Sequence, residues 1–590
     1  MGQMHFHVSD AAAEFFHQCR WNDAYLCGIE GVPWQTRNTF LPENSQASGP
    51  VSSPSELPEG FAKSGNAGGR LTLTRSVATS AKLLITGPVD GIGYRVLTTC
   101  SLRCLDAPHR LILELARGCC YRVRTQADTW QRGGLSLNQH FEELLAEGTR
   151  HFLDALQPKS ASVNPHSGAS LISASLDAEQ ESAQSAIRAI TILEKASSEL
   201  GELFSSQSLA FRRSREPRLS TMMAVGVSPE ACCAANGSAS GRPISSGGPI
   251  PSGGTSAGGN KPGSTATLAN AVAGFDETTA AIDNGIVPAF NAAAVRISWG
   301  DIEDASGTPD FTEVSKILDE CASLGMRVIG GPVIDHRDGL LPDWLTLMDN
   351  GFEKLLSSMT QFVEATVNQF RGQVHLWNAA SGLNLSGPLR LDDEQVMRFS
   401  IGVLQTIRRC DPTTPVIMSI EQPCGEYLAR HADGISPIHF ADALLRSGLG
   451  LAGIGLNFRF GYDHGETHPR SSLEFAQLID RWGTLNAPLL VQLSIPAAPG
   501  TDPAARLQTS PVSLSPSIKN QAELWARQQH EFAKPLIETL LAKQIVHAVV
   551  WDGASDRAPH VMPHAGVIDS NGNPRPMLPY LTKLREELLM

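Results

Sequence analysis

From about residue 290 to the C-terminus, short and nearly continuous apolar runs alternate with amphipathic stretches at even intervals, and this constrains the fold more than any other feature. The apolar runs are "AAVRISW" (293–299), "RVIGGPVI" (327–334), "VHLWNAA" (374–380), "PVIMSIE" (415–421), "GIGLNFRF" (453–460), "PLLVQLSI" (488–495) and "HAVVWDG" (547–553). Between them lie helix-spaced segments such as "FTEVSKILDECASLG" and "DEQVMRFSIGVLQTIRRC". Strands apolar on both faces, each followed by an amphipathic helix, imply a parallel sheet covered by helices. Seven such strands, with a first one placed near "VAGFD", predict an α/β fold of the (β/α)8 TIM barrel type, whose chemistry sits at the C-terminal ends of the strands. An open doubly wound sheet is the alternative, but no glycine-rich phosphate loop follows an early strand.

Composition changes sharply at 237, where "GSASGRPISSGGPIPSGGTSAGGNKPGS" begins. Such a Gly/Ser/Pro tract buries too little apolar surface to offset its ordering entropy and is expected to be a flexible tether. The resulting division is a small N-terminal α+β domain over 1–156, a polar break and amphipathic helix over 157–212, a linker over 213–265 and the barrel over 266–590. The first domain carries strand-like runs "RLTLTRS", "AKLLITGP" and "YRVLTTCSL", a helical "LILELARGCCYRVRTQADTW" and a loop over 42–60. The helix expected at about 176–211 presents Ile187, Ile190, Ile192, Leu193, Leu200 and Leu203 as a stripe that docks on the N-terminal domain.

The formal charge of −13 disfavours nucleic acid as a partner, since surfaces that track phosphates are normally basic. No charged n-region precedes an apolar h-region, and no run approaches the roughly 18 apolar residues of a membrane span, so no membrane partner and a cytoplasmic location are expected. Eleven cysteines without paired C-x-x-C spacing read as reduced, mostly buried thiols. No cofactor and no metal are expected: "DHGETH" and "HVMPH" offer Asp463, His464, His468, His560 and His564, but Pro559 and Pro563 argue against a helix aligning the last pair. No G-x-S-x-G elbow is present.

The strand ends resemble glycoside hydrolase family 10, the β-1,4-xylanase barrels. In "ISWGDIEDASGTPDF" the family's second-strand Trp, Glu and Gly are matched by Trp299, Glu303 and Gly307. In "GMRVIGGPVIDHRDGLLPDWL" the third-strand pattern is matched by Gly330, His336, Leu341, Pro342 and Trp344, with Gly331 and Asp335 departing from it. The closing "GVIDSNGNPRPML" is similar to the family's final turn. The resemblance implies a catalytic acid at the end of the fourth strand, where Trp377, Asn378 and Ser381 lead into Gly382. It also implies a nucleophile on the seventh strand, where Gln492 stands. Strand six keeps Gly453 and Gly455 and carries Asn457 and Arg459.

A retaining glycosidase needs two carboxyl groups about 5 Å apart, one to protonate the leaving oxygen and one to attack the anomeric centre. Glycine cannot donate a proton and a Gln amide is a poor nucleophile, so the family's double displacement is expected to be absent. Asp335, Glu421 and Asp552 are the candidate replacement carboxylates, because an inverting pair tolerates roughly 6.5–9.5 Å. Trp299, Trp377 and Trp551, with Trp344, are candidates to stack on sugar rings. Glu303, His336, Asn378, Glu426, Asn457 and Arg459 are candidates to bond sugar hydroxyls. The expected function is a barrel that binds a β-linked oligosaccharide without retaining hydrolysis. The alternatives are an active hydrolase with relocated carboxylates and a structural assembly protein; oligomeric state is left open.

Overall fold

The computed structural model describes residues 2–28, 31–42, 68–157, 171–229, 285–347, 351–431, 434–463, 466–518 and 521–590. The tract over 237–264 and the segment "VAGFD" lie outside them, as does the expected loop over 42–60 except for Pro42.

The N-terminal unit contains β1 (Gly2–Val8), β2 (Arg20–Cys27), β3 (Pro33–Trp34), β4 (Arg37–Pro42), β5 (Gly69–Arg75), β6 (Lys82–Val89), β7 (Gly93–Thr98) and β8 (His109–Arg110). They form two four-stranded sheets, β4-β5-β1-β8 and β3-β2-β6-β7. Alternation along β1 buries Met4, Phe6 and Val8 and leaves His5 and His7 half-buried, the period of two expected of a strand covered on one face. Helices Leu111–Arg132 and Gln139–Leu156 follow. Leu111, Leu115 and Ala116 of the first join Phe6, Leu71 and Leu83 in one core.

A helix of 45 residues, Leu171–Arg215, joins this unit to the rest of the chain. Its first part docks as expected, with Ala186, Ile190 and Leu193 in the N-terminal core. Its second part also stays on the N-terminal helices, where Leu200 and Leu203 pack with Val123 and Phe141 and Phe204 stacks on Trp130, and in addition it runs along the barrel. Leu200 packs with Leu473, Ser205 meets Thr539 at 3.0 Å, and Arg212 donates to the carbonyls of Leu541 and Lys543 at 2.9 and 3.3 Å. Gly201 makes this approach possible: a Cβ there would lie 2.1 Å from Ser472 Oγ. The outer edge of β7 is covered too, Tyr94 N donating to Leu514 O and Val96 N to Pro469 O, both at 2.8 Å. The edge strand is thereby closed off by barrel loops.

The barrel strands are β9 (Met222–Val227), β10 (Ala292–Val295), β11 (Arg327–Gly330), β13 (Leu376–Asn378), β15 (Val416–Glu421), β16 (Gly453–Arg459), β17 (Leu489–Ser494) and β18 (Val546–Trp551). They close in the order β10-β11-β13-β15-β16-β17-β18-β9, every pair parallel. Two short strands, β12 (Ile334–Asp335) and β14 (Ala380–Ser381), pair above the barrel and set Asp335 beside Ser381. The (β/α)8 architecture is therefore as expected, but its first strand is not.

That strand is "MMAVGV", which precedes the Gly/Ser/Pro tract, so neither the linker at 213–265 nor the barrel boundary at 266 holds. Ala224 pairs with Ala292 on one side and Val550 on the other. The compositional break therefore falls between the first and second barrel strands, not at the edge of a domain.

Inward-facing side chains alternate along each strand. Ala224, Ala292, Ile329, Ile417, Leu490, Ala548 and Val550 form a cluster of their own inside the barrel, with half-buried Met222, Ala294 and Leu376 packed against it. No helix among the described residues is long and apolar enough to cross a membrane.

Candidate functional site

Continuing the same period past the apolar layer, the strands turn polar at their C-terminal ends. Arg296 follows Ala294, Asn378 follows Leu376, Glu421 and Asn457 are cross-strand partners, and Gln492 pairs beside Asn457. Asp552 leaves β18 next to Ser494, whose hydroxyl donates to it at 2.5 Å. These side chains surround a cavity of about 490 Å³ at the mouth of the barrel, lined by Arg296, Asn378, Ser381, Asn457, Gln492 and Asp552.

Around the cavity runs a network of buried charges. Arg337 clamps Asp335 through Nε at 2.8 Å and Nη2 at 2.6 Å, and Arg296 adds a bond at 2.9 Å. Arg296 also holds Asp301 at 2.5 Å, and Asp301 is paired in turn with Arg506. Glu421 accepts from Ser381 Oγ at 2.6 Å and Asn457 Nδ2 at 2.7 Å, and pairs with Arg459 at 2.5 Å. Asn384 fixes the backbone of Glu421 at both its carbonyl and its amide, at 2.9 and 3.1 Å.

Burial alone would push Asp335 up, but Arg337 and then Arg296 outweigh it and hold the carboxyl well below the usual range. Glu421 is also lowered, burial being overcome by Arg459 and Arg337. Both carboxylates are therefore ionised and held by buried guanidinium groups. Glu466, 3.6 Å from Arg459, behaves oppositely: burial raises it further than Arg459 lowers it. Asp552 differs from both arginine-clamped groups, having no ion-pair partner among the described residues while lining the cavity.

Of the residues expected from sequence, Asn378, Asn457, Arg459, Gln492 and Asp552 converge here, and Asp335 and Glu421 sit in the charge network. The rest do not. Trp299 is buried against Phe362 and Trp344, Trp377 Nε1 donates to Asp411 at 3.1 Å, and Trp551 Nε1 donates to Ala565 O at 3.0 Å. All three are core residues and offer no face to a sugar. Glu303 is a structural acceptor, bonded by Trp299 Nε1 at 3.2 Å and Gly307 N at 2.6 Å.

His336 is 1% exposed, and burial pulls its pKa down to about 4, outweighing the Gly382 backbone and Asp335, which raise it. Glu426 points towards the N-terminal unit: it accepts from Arg470 at 2.7 Å, from His468 N at 3.1 Å and from Tyr25 OH at 3.4 Å. Nearby, Arg430 pairs with Asp23 at 3.0 Å, so this loop is a seam between the two halves. Gly382 adopts φ +80°, and a Cβ there would lie 3.1 Å from Arg337 Cγ.

Sequence reasoning did not single out Arg296, Arg337, Asp301, Ser494 or Glu466. The available signal was the inward period of two: Arg296 lies two residues past Ala294 and Ser494 two past Gln492. Elsewhere on the rim, ligand atoms of Asp502, Asp556 and His564 lie within 4.8 Å of one another and could hold a metal ion. Each acid there is already compensated, Asp502 by His560 at 2.9 Å and Asp556 by Arg575 at 2.6 Å.

No family model matches the chain, and no curated protein matches it. Among solved structures, xylanase 10B from Thermotoga maritima is similar at 17% identity, over 50% of this chain and 86% of that one, with a TM-score of 0.36. Xylanase 10B from Thermotoga petrophila RKU-1 in complex with xylobiose gives 17%, 50%, 85% and 0.37 for the same measures. A family 10 endoxylanase from a sugarcane soil metagenome gives 14%, 51%, 90% and 0.38. The likeness is one of fold. What the barrel does is argued below from its own residues.

Proposed function

We propose that the C-terminal half is a saccharide-binding barrel that lacks the retaining hydrolysis of the family its strand ends resemble. The observation that carries this is the state of the rim carboxylates. A glycosidase needs one carboxylic acid protonated near neutral pH, yet Asp335 and Glu421 are arginine-clamped and lowered. At the two positions where the resemblance expects carboxylates, Gly382 and Gln492 stand instead. What lines the cavity includes amides, hydroxyls, guanidinium groups, Lys316, His560 and the carboxylates of Glu313, Glu320 and Asp552, a set that donates to and accepts from sugar hydroxyls.

A second reading, an active hydrolase with relocated groups, is favoured by one pair of observations: Glu466 is raised, and Asp552 is unclamped and lines the cavity. Against it, Glu466 is not among the cavity-lining residues.

The test uses the full chain with xylo- and gluco-oligosaccharides, titrating binding by calorimetry and searching for products by mass spectrometry. The expected result is saturable binding without products, weakened about tenfold in Asn457→Ala. Products that disappear in both Asp552→Asn and Glu466→Gln would replace this reading with the hydrolase. Absence of binding to every oligosaccharide would overturn both.

A further inference from the structure

We propose that the opposite, N-terminal mouth of the barrel is a second binding site, an apolar well with a basic rim that takes a medium-chain monocarboxylate. This goes beyond the saccharide reading and does not depend on it.

The bore of a (β/α)8 barrel is normally filled by layers of bulky branched side chains. Here Ala224, Ala292, Ala294 and Ala548 occupy inward positions, and Gly453 and Gly455 stand on the inward period of β16. Too little volume remains to fill the bore, and it opens into two chambers. The upper is the cavity described above. The lower has about 500 Å³, within the range of small-molecule pockets. Ile329 and Leu490 line both chambers, so a single layer of side chains separates them.

The walls of the lower chamber are Met222, Ile329, Leu376, Ile417, Leu490 and Ala548. Met222 and Leu376 are half-buried although they point into a closed barrel, which shows that the well is open from below. Around its mouth stand Arg327, His375 and His547, all exposed. The side chains of Arg327 and His547 have no partner among the described residues. His375 accepts from Val328 N at 3.1 Å through Nδ1, and its Nε2 has no partner among the described residues. Among the described residues no acid lines the well. Glu216, in an adjoining cleft, is committed to Ser220 N at 2.5 Å and Arg212 at 3.5 Å.

Such a well rejects a sugar, whose hydroxyls would be buried without partners. It rejects an alkylammonium by placing a guanidinium at the entrance. An apolar chain with an anionic head satisfies both parts: the chain replaces contacts that the small residues leave unmade, and the head meets Arg327 in a charge-assisted bond.

The test titrates the full chain with decanoate, decan-1-ol and decylammonium, each below its micellar concentration. Decanoate is expected to bind more tightly than decanol and decylammonium not at all. Arg327→Ala, an exposed change, should weaken decanoate about tenfold and leave decanol unchanged. Met222→Trp, which fills the mouth, should abolish both. The proposal fails if decanoate does not bind, if it binds Met222→Trp as well as the wild type, or if decylammonium binds equally. Oligosaccharide titration of the same variants reads the upper chamber separately.

Discussion

Acid should destabilise this protein through one histidine. His336 is fully enclosed, and its pKa falls from 6.5 to about 4 because burial penalises the imidazolium more than the Gly382 backbone and Asp335 favour it. A folded-state value below the unfolded one means that the unfolded chain takes up the proton first. The contribution is therefore complete above about pH 6.5 and is lost as pH falls towards 4. At about 1.36 kcal/mol per pKa unit, the loss is about 3 kcal/mol by pH 4. The perturbation is His336→Leu, which removes the titration while keeping an apolar filling. Denaturant unfolding of both proteins between about pH 7.5 and 4.5 should give a difference that grows on acidification, the variant becoming relatively more stable. Asp335 and the other lowered carboxylates titrate in both proteins and cancel. Parallel loss of stability in wild type and variant would refute the reasoning, because it would mean that the folded site does not disfavour the imidazolium.

Removing Arg337 as Arg337→Met should cost about 3–5 kcal/mol by leaving Asp335 and Glu421 under-compensated in the interior, and adding Asp335→Asn should recover part of it in a double-mutant unfolding cycle. Gly382→Glu should lower stability by about 1–3 kcal/mol, since a side chain is forced into φ +80° beside Arg337. Combined with Gln492→Glu, it should yield no glycosidic products by mass spectrometry. Glu426→Gln should loosen the seam at Tyr25, His468 and Arg470 and speed limited proteolysis of the N-terminal unit, with little change in oligosaccharide binding.

The barrel was legible because parallel strands buried on both faces write themselves as apolar runs, and β15, β16 and β17 fall within a residue or two of the runs read for them. The first strand was missed for an equally physical reason. "MMAVGV" is as apolar as the others, but the Gly/Ser/Pro tract that follows drew the boundary to the wrong side of it. At the site, strand-end position identified Asn457, Gln492 and Asp552. It could not separate inward from outward residues near the irregular ends, which is why Trp299, Trp377 and Trp551 were taken for rim groups. The arginine clamps escaped notice because Arg337 and Asp335 act only as a pair brought under the neighbouring strand by β12 and β14.

The placement of β9 ahead of the tract changes how the chain has to be cut and made. A fragment beginning at 266 would keep seven barrel strands and leave β10 and β18 with unpaired edges, an invitation to intermolecular pairing. A nick inside the tract, by contrast, would produce two polypeptides that both contribute strands to one barrel and stay associated. During synthesis β9 must wait, already joined to the long helix, until the last strand has emerged. The N-terminal unit thus holds the opening piece of a cylinder that only the final hundred residues can close.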